Sequence, residues 1–307
     1  MEEFEVQMAK VAEVQAANEE EVLGLQNVLG AGIGYKEIGG KETTELCIQV
    51  YVEKKLPKSK LPKSQLVADA FDGIKTDVIE VGTVEALSYR ARVRPAQPGY
   101  SIGHYKITAG TFGALVEDRC CKGIFILSNN HVLANSNAAS YGDPILQPGR
   151  VDGGTYPADM IAKLHRFVPI HFNNPRRYNL VDAALARPLD TRNVIASIVA
   201  LGVPTGVDEA APGMEVTKSG RTTQTTTGKV KGVNVSIKVG YGAGRLGYFR
   251  NQILTTAMSK GGDSGSLLLS KREKRAVGLL FAGSSVVTIH NNISNVMMAL
   301  NVEPFTL

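Results

Sequence analysis

The chain has 307 residues, of which 43% are hydrophobic and 21% charged, with a formal net charge of +5. This balance describes a globular protein with room for a large core or two domains, and excludes a disordered or fibrous chain. No apolar run is long enough to span a bilayer, so no membrane partner is expected, and three cysteines are too few for a disulfide framework.

The N-terminus, Met-Glu-Glu-Phe-Glu-Val-Gln, is acidic and lacks the basic region and apolar run of a secretory signal. Adjacent Cys120 and Cys121 are poorly disposed to pair with each other. A reducing cytoplasm is therefore expected, with these thiols and Cys47 in core or strands. Residues 3–23 carry Phe4, Met8, Val11, Val14, Ala17 and Val22 at three- and four-residue spacing, which predicts an amphipathic helix. Residues 27–35 and 45–53 read as strands joined by a Gly39-Gly40 hairpin; residues 64–70 read as a short helix and 76–81 as a third strand. The lysine-rich stretch Lys54 to Lys63, with its repeated Leu-Pro-Lys-Ser, reads as a solvated loop. A small α/β domain over 1–88 is expected, followed by a basic, proline-bearing linker over 89–104.

From Tyr100 onward turn residues recur about every ten positions among strand-like runs, as all-β barrels require. Within this region Phe125-Ile-Leu-Ser-Asn-Asn-His131 is an apolar strand running into a histidine. Tyr178-Asn-Leu-Val-Asp182-Ala-Ala-Leu-Ala has one carboxylate inside an apolar strand, where it needs a partner because an unpaired buried charge is costly. Gly261-Gly262-Asp263-Ser264-Gly265-Ser266 precedes the apolar run Leu267-Leu-Leu269, which reads as a buried strand steadying the turn. A serine hydroxyl is a poor nucleophile until a base takes its proton and fixed N–H donors receive the developing oxyanion. Glycines permit the tight turn that aims the N–H groups of Gly262 and Ser264 into one small space.

The order histidine, aspartate, Gly-Asp-Ser-Gly resembles the chymotrypsin-like (trypsin-fold) serine peptidases. Val216-Thr-Lys-Ser-Gly-Arg-Thr-Thr-Gln-Thr-Thr-Thr-Gly is similar to the Ser-Gly-Arg-Thr-Thr-Gly turn of bacterial secreted members and to the plant narrow-leaf peptidases. Ala276-Val-Gly-Leu-Leu-Phe-Ala-Gly283 is similar to the strand lining the specificity pocket. The resemblance implies a mainly β fold: two six-stranded antiparallel barrels, at about 105–200 and 213–288, within a peptidase domain spanning 105–307. A C-terminal helix is expected at about 290–301.

The resemblance further implies a catalytic triad of Ser264 as nucleophile, His131 as base and Asp182 as its orienting carboxylate, with no metal or cofactor. His104, His165, His171 and His290 lack the strand-then-histidine context; Asp143, Asp152 and Asp159 sit in turn-like surroundings where aspartate caps backbone. Asp263 reads as structural. Secreted relatives have a disulfide beside the histidine; here Val132 follows His131, so packing must replace it.

Where the trypsin branch has an aspartate six residues before the nucleophile, this chain has Met258, so a small or medium apolar P1 side chain is expected. Met258, Phe281, Ala282 and Gly283 would bind substrate. The expected partner is thus a protein or peptide cut by an intracellular serine endopeptidase. The N-terminal unit would then act as a docking module or as an inhibitory region like the pro-regions of bacterial relatives, giving a zymogen.

Two other readings are a catalytically silent peptide-binding scaffold and a polyanion-binding protein acting through Lys54–Lys63. The basic runs lack interleaved aromatics, which argues against nucleic acid. Gly242-Ala-Gly-Arg-Leu-Gly247 matches a dinucleotide fingerprint but precedes a strand and not a helix, and reads as a hairpin loop.

Overall fold

A computed structural model describes residues 2–82, 84, 88–120 and 122–305. The chain divides into two compact units, Met1–Leu87 and Ser88–Leu307. Cys121 lies outside the described residues. Among the described residues, no helix is long and apolar enough to cross a membrane.

In the first unit, helix α1 (Glu2–Leu23) lies on a sheet of β1 (Val28–Ile38), β2 (Lys41–Val52), β3 (Ala70–Phe71) and β4 (Ile74–Glu80), ordered β1-β2-β4-β3. Val11, Val14 and Val22 of the helix bury against Leu46, Ile48 and Val50 of β2. Phe4 and Met8, expected on the same stripe, stay exposed. Gly39 and Gly40 turn the β1–β2 hairpin with φ of +62° and +77°, the left-handed pair that matches strand twist. The short helix expected at 64–70 is only the single 3-10 turn Lys63–Gln65. Pro62 sets its start, and the chain is extended again at Leu66.

The second unit begins with β5 (Ser101–His104), β6 (Gly110–Thr111), β7 (Ala114–Asp118) and β8 (Ile124–Ser128). Helix α2 (Asn130–Leu133) and strands β9 (Pro144–Leu146), β10 (Met160–Phe167) and β11 (Ala184–Pro188) follow. The remainder is β12 (Glu215–Gly220), β13 (Gln224–Gly240), β14 (Leu246–Thr256), β15 (Leu267–Ser270), β16 (Ala276–Gly283), β17 (Val287–Asn292), helix α3 (Ile293–Leu300) and β18 (Val302–Pro304).

Strands β12-β13-β14-β17-β16-β15 close into a six-stranded antiparallel barrel. The first half differs in strand number from the six-stranded barrel expected at about 105–200. It is an eight-stranded antiparallel sheet, β18-β7-β8-β11-β10-β9-β5-β6. Its two ends are joined at Phe112-Gly113, where the strand β6–β7 changes partner: Phe112 bonds to Tyr100 through its N–H and to Gly99 through its carbonyl, while the Gly113 N–H bonds to Leu127. The chain thus bends from one sheet edge to the other. A Cβ at Gly113 would lie 2.2 Å from the Gly265 carbonyl oxygen, so only glycine permits the crossing.

The expected linker at 89–104 is also corrected. Ala96 bridges Val194, Arg94 donates to the Gln147 carbonyl at 3.0 Å, and Ser101–His104 is a full strand of the sheet. Arg92 pairs with Asp159, and Arg94 bonds to Gln147, so both are tied into the unit. The C-terminal helix is confined to Ile293–Leu300, after β17 has used residues 287–292.

Among the described residues, four hydrophobic clusters hold this unit, three of which fill and join its two halves. Ile102, Phe112, Ile126, Leu133, Ile145 and Leu164 fill the first half, and Val216, Val230, Ile253, Leu268 and Val277 fill the barrel. Val116, Phe125, Leu127 and Leu185 of the first half meet Leu267, Leu269, Leu279, Ile293, Val296 and Leu300 of the second. At about 25 cal/mol per Å² of apolar surface, each of these fully buried side chains is worth on the order of 2 kcal/mol. The joint is therefore as dry as the cores, and the cleft above it has a rigid floor.

Candidate active site

His131 sits in the single turn α2, directly beyond β8. Asn129, which precedes the turn, donates from Nδ2 to the Asp182 carbonyl at 2.7 Å. Asn130 donates to Asn137 Oδ1 at 2.8 Å and to the Val168 carbonyl at 2.7 Å. Val132, next to His131, is buried in the first-half core.

Asp182 is fully buried in the extended segment just before β11, flanked by buried Val181 and Ala183. His131 Nδ1 lies 2.6 Å from its Oδ2, and the His131 N–H donates to Oδ1 at 3.2 Å. This pairing assigns the proton to Nδ1 and leaves Nε2 as the lone-pair nitrogen. A third donor is the Tyr241 hydroxyl, 2.8 Å from Oδ2. The Tyr241 ring packs edge-on against His131, and its phenol is held well above the usual range by burial first and by the Asp182 charge second. Asn291 Oδ1 accepts the Asp182 N–H at 3.0 Å, Asn291 Nδ2 donates to Gln252 Oε1 at 2.7 Å, and Gln252 Nε2 donates to the Leu180 carbonyl at 2.9 Å. Thus the barrel clamps the segment that carries the carboxylate. Neither Tyr241, Asn291 nor Gln252 was singled out by sequence. Tyr241 stands at the Gly-rich β13–β14 hairpin, which shows only turn character.

Ser264 lies in the turn before β15. Its hydroxyl donates to the Phe281 carbonyl oxygen at 3.4 Å, a weak bond, and among the described residues none joins it to His131. The two side chains open onto adjoining cavities of about 660 Å³ (Ser264) and 700 Å³ (His131) that share Ala282, Gly283 and Ser284 as a wall.

The residues before Ser264 form a tight turn in which the Asp263 N–H bonds to the Lys260 carbonyl at 3.0 Å and Gly262 has φ +97°. These are the marks of a type II turn, which places glycine third. The Gly261 carbonyl accepts from Thr222 Oγ1 at 2.8 Å, so the Gly262 N–H across that planar peptide points the opposite way. Among the described residues, the N–H groups of Gly262 and Ser264 have no acceptor within the protein.

Asp263 is buried and holds this turn. It accepts from the N–H groups of Thr222 at 2.8 Å, Thr223 at 3.1 Å and Lys260 at 2.8 Å, and from Thr223 Oγ1 at 2.7 Å. Its charge partner is Lys218, equally buried, at 3.6 Å. Desolvation pulls the Lys218 ammonium below its ordinary pKa against the opposing pull of Asp263.

A second ion pair ties the two halves together. Arg221 grips Asp152 with two hydrogen bonds of 2.5 Å, Ser101 Oγ donates to the same carboxylate, and the Arg221 N–H donates to Thr111 Oγ1, which donates to the Gly262 carbonyl. Asp152 is therefore no backbone cap. Asp143 pairs with His104 Nε2 at 3.0 Å, and Asp159 both caps Thr155 and pairs with Arg92.

Met258, Ala282 and Gly283 line the cavity beside Ser264. Phe281 does not. Strand alternation turns its side chain away into an aromatic cluster with Phe249, at the back of the His131 cavity, and leaves only its carbonyl toward Ser264. Thr223, Thr226, Ser259, Ser284 and Ser285 make the Ser264 cavity richer in hydroxyls than an apolar P1 pocket, and Lys260 also lines it. Cys120 is exposed in a turn, not in a strand; Cys47 is buried in β2.

No family model matches the chain, and no curated protein matches it. Solved structures do. Thermobifida fusca protease A aligns at TM-score 0.50 with 18% identity, over 69% of this chain and all of that one. Nocardiopsis protease aligns at 0.50 with 16% identity, over 69% and 100%. A glutamic acid-specific serine protease aligns at 0.50 with 20% identity, over 68% and 100%. At these identities the likeness is one of fold: the chain has the trypsin-like fold of the chymotrypsin-like serine proteases, which the three motif segments led us to expect.

Proposed function

We propose that the protein is a serine endopeptidase that hydrolyses peptide bonds through an acyl-enzyme. The observation that carries this is the buried Asp182 bonded at 2.6 Å to His131, whose cavity adjoins the one lined by Ser264, with the N–H groups of Gly262 and Ser264 unengaged among the described residues. In this reading Ser264 turns from the Phe281 carbonyl toward His131 as substrate enters, and its Oγ attacks the scissile carbonyl. His131 Nε2 takes the hydroxyl proton and returns it to the leaving amine. A water then attacks the acyl-enzyme by the same proton path. Asp182 holds the imidazole tautomer and stabilises its cationic form. The N–H groups of Gly262 and Ser264 receive the oxyanion, each worth about 3 kcal/mol of barrier.

The cavity beside Ser264 takes a small or medium uncharged P1 side chain, lined by Met258 and several hydroxyls. The free thiol of exposed Cys120 fits a reducing compartment.

One observation favours a second reading, a silent peptide-binding scaffold: the Ser264 hydroxyl bonds to Phe281 and not to His131. A fluorophosphonate probe separates the two. Labelling of the full chain that is abolished by Ser264→Ala supports the peptidase; an unlabelled full chain, before and after limited proteolysis between the two units, supports the scaffold. A labelling rate that rises on that cleavage assigns the first unit an inhibitory role, and an unchanged rate assigns it to docking.

A further inference from the structure

We propose that the outer face of the β13–β14 hairpin is a docking surface for an acidic stretch of polypeptide lying beside the scissile bond. That the docked polypeptide is also the substrate rests on the peptidase reading; the surface itself does not.

Charge is distributed unevenly over this part of the chain. Residues 160–181 contain four Lys or Arg and no carboxylate, and residues 210–262 contain eight against the single Glu215. Some of these cations are spoken for. Lys218 and Arg221 have buried acid partners, and Lys229 faces Glu215 across the β12–β13 ladder. Arg176, Arg177, Lys238 and Arg250 are exposed, and among the described residues none of the four has a carboxylate partner.

Arg250 and Lys238 are held by aromatic rings, and Arg176 and Arg177 directly precede one of those rings, Tyr178, in the chain. The Arg250 N–H bonds to the Asn179 carbonyl, which lays residues 178–179 along β14. The Arg250 guanidinium then stacks on Tyr178 at 3.5 Å, Tyr178 meets Tyr248 edge-on, and Lys238 lies over Tyr248 at 5.7 Å. Ring faces hold the cations in place without neutralising them. A stacked guanidinium keeps its N–H edge free for a bidentate carboxylate.

Two features choose an acidic polypeptide over a nucleic acid. The ring faces that bases would stack on are already covered by cations. And the surface runs into the peptide cleft: Lys238 lines the His131 cavity and Lys260 the Ser264 cavity, while neither cavity has an Asp or Glu in its lining. A peptide with acidic residues flanking the bond to be cut would meet unopposed positive charge along its path.

The test uses the full chain carrying Ser264→Ala and two dye-labelled peptides of one core sequence, flanked by four Glu or by four Gln, followed by fluorescence anisotropy. The Glu peptide is expected to bind about tenfold tighter at low salt, with the gap closing as ionic strength rises toward 0.5 M. Arg250→Gln, and separately Arg176→Gln with Arg177→Gln on the exposed loop, should each narrow that gap about threefold or more. Equal affinities, a gap indifferent to both variants, or an oligothymidylate that binds tighter and displaces the peptide would overturn the proposal. Binding to Ser264→Ala requires no turnover, so absent fluorophosphonate labelling of the wild type would reject the peptidase reading without touching this surface.

Discussion

Asp182 has more donors than the two supplied by His131, and the third gives a sharp test. Tyr241→Phe removes one hydroxyl and keeps the ring that packs against His131, Phe172 and Phe249. If the hydroxyl helps to hold the carboxylate for catalysis, kcat/KM should fall about tenfold, the equivalent of one charge-assisted hydrogen bond of about 1.4 kcal/mol, while KM and the thermal midpoint barely move. A loss confined to stability would leave Tyr241 a packing residue only. His131, Asp182 and Ser264 were legible because each lies in a short segment whose neighbours carry the message: an apolar strand, small apolar residues, a glycine turn. Tyr241 was not, because its partner is 59 residues away and nothing in Gly240-Tyr241-Gly242 marks a ring aimed inward. Phe281 was misplaced for a related reason. A strand shows in sequence which residues alternate but not which face meets the cavity.

The element that most directly joins structure to chemistry is the bent strand β6–β7. Its crossing point, Gly113, abuts the Gly265 carbonyl next to the nucleophile, and an added methyl would also stand 2.9 Å from the Leu127 carbonyl. Both obstacles are backbone and cannot swing aside. Gly113→Ala should therefore cost several kcal/mol of stability and shift the Ser264 turn, read as a lowered thermal midpoint together with slowed fluorophosphonate labelling. Lys218→Met addresses the other support of that turn. Leaving Asp263 buried without its cation should cost about 3–5 kcal/mol, measured by urea unfolding. Individual strands and the glycine hairpins were legible from alternation and turn chemistry. Closure was not, since whether the sheet edges meet depends on the partner switch at Phe112-Gly113, a long-range choice that leaves no periodic trace.

For the molecule as a whole, the buried histidines set how stability responds to acid. His290, fully buried in β17 with Nε2 against Thr255, has its pKa lowered to about 3 by burial first and by the Lys218 charge second. An unfolded chain takes up that proton near pH 6.5, whereas the folded chain refuses it until about pH 3. The stability gained by keeping His290 neutral is thus complete above pH 6.5 and is lost as pH falls through that window, by about 3 kcal/mol at pH 4. His104, His165 and His171, all lowered chiefly by burial, act in the same direction. Thermal midpoints should drop between pH 7 and pH 4, and His290→Gln should flatten part of that slope.

Two units were expected, but the boundary at Leu87/Ser88 sits earlier than the end of the basic segment, because Arg92 pairs with Asp159 and Arg94 bonds to the Gln147 carbonyl. The short last strand β18 leaves α3 and returns to pair with β7, Val302 beside Asp118 and Pro304 beside Val116. The polypeptide therefore enters the first half, builds the second, and comes back to fasten itself to where it began. A strap of this kind forbids the halves from swinging apart like jaws. Substrate must be admitted by local turns of side chains, and deleting residues 302–307 should split the unfolding transition of the second unit into two in calorimetry.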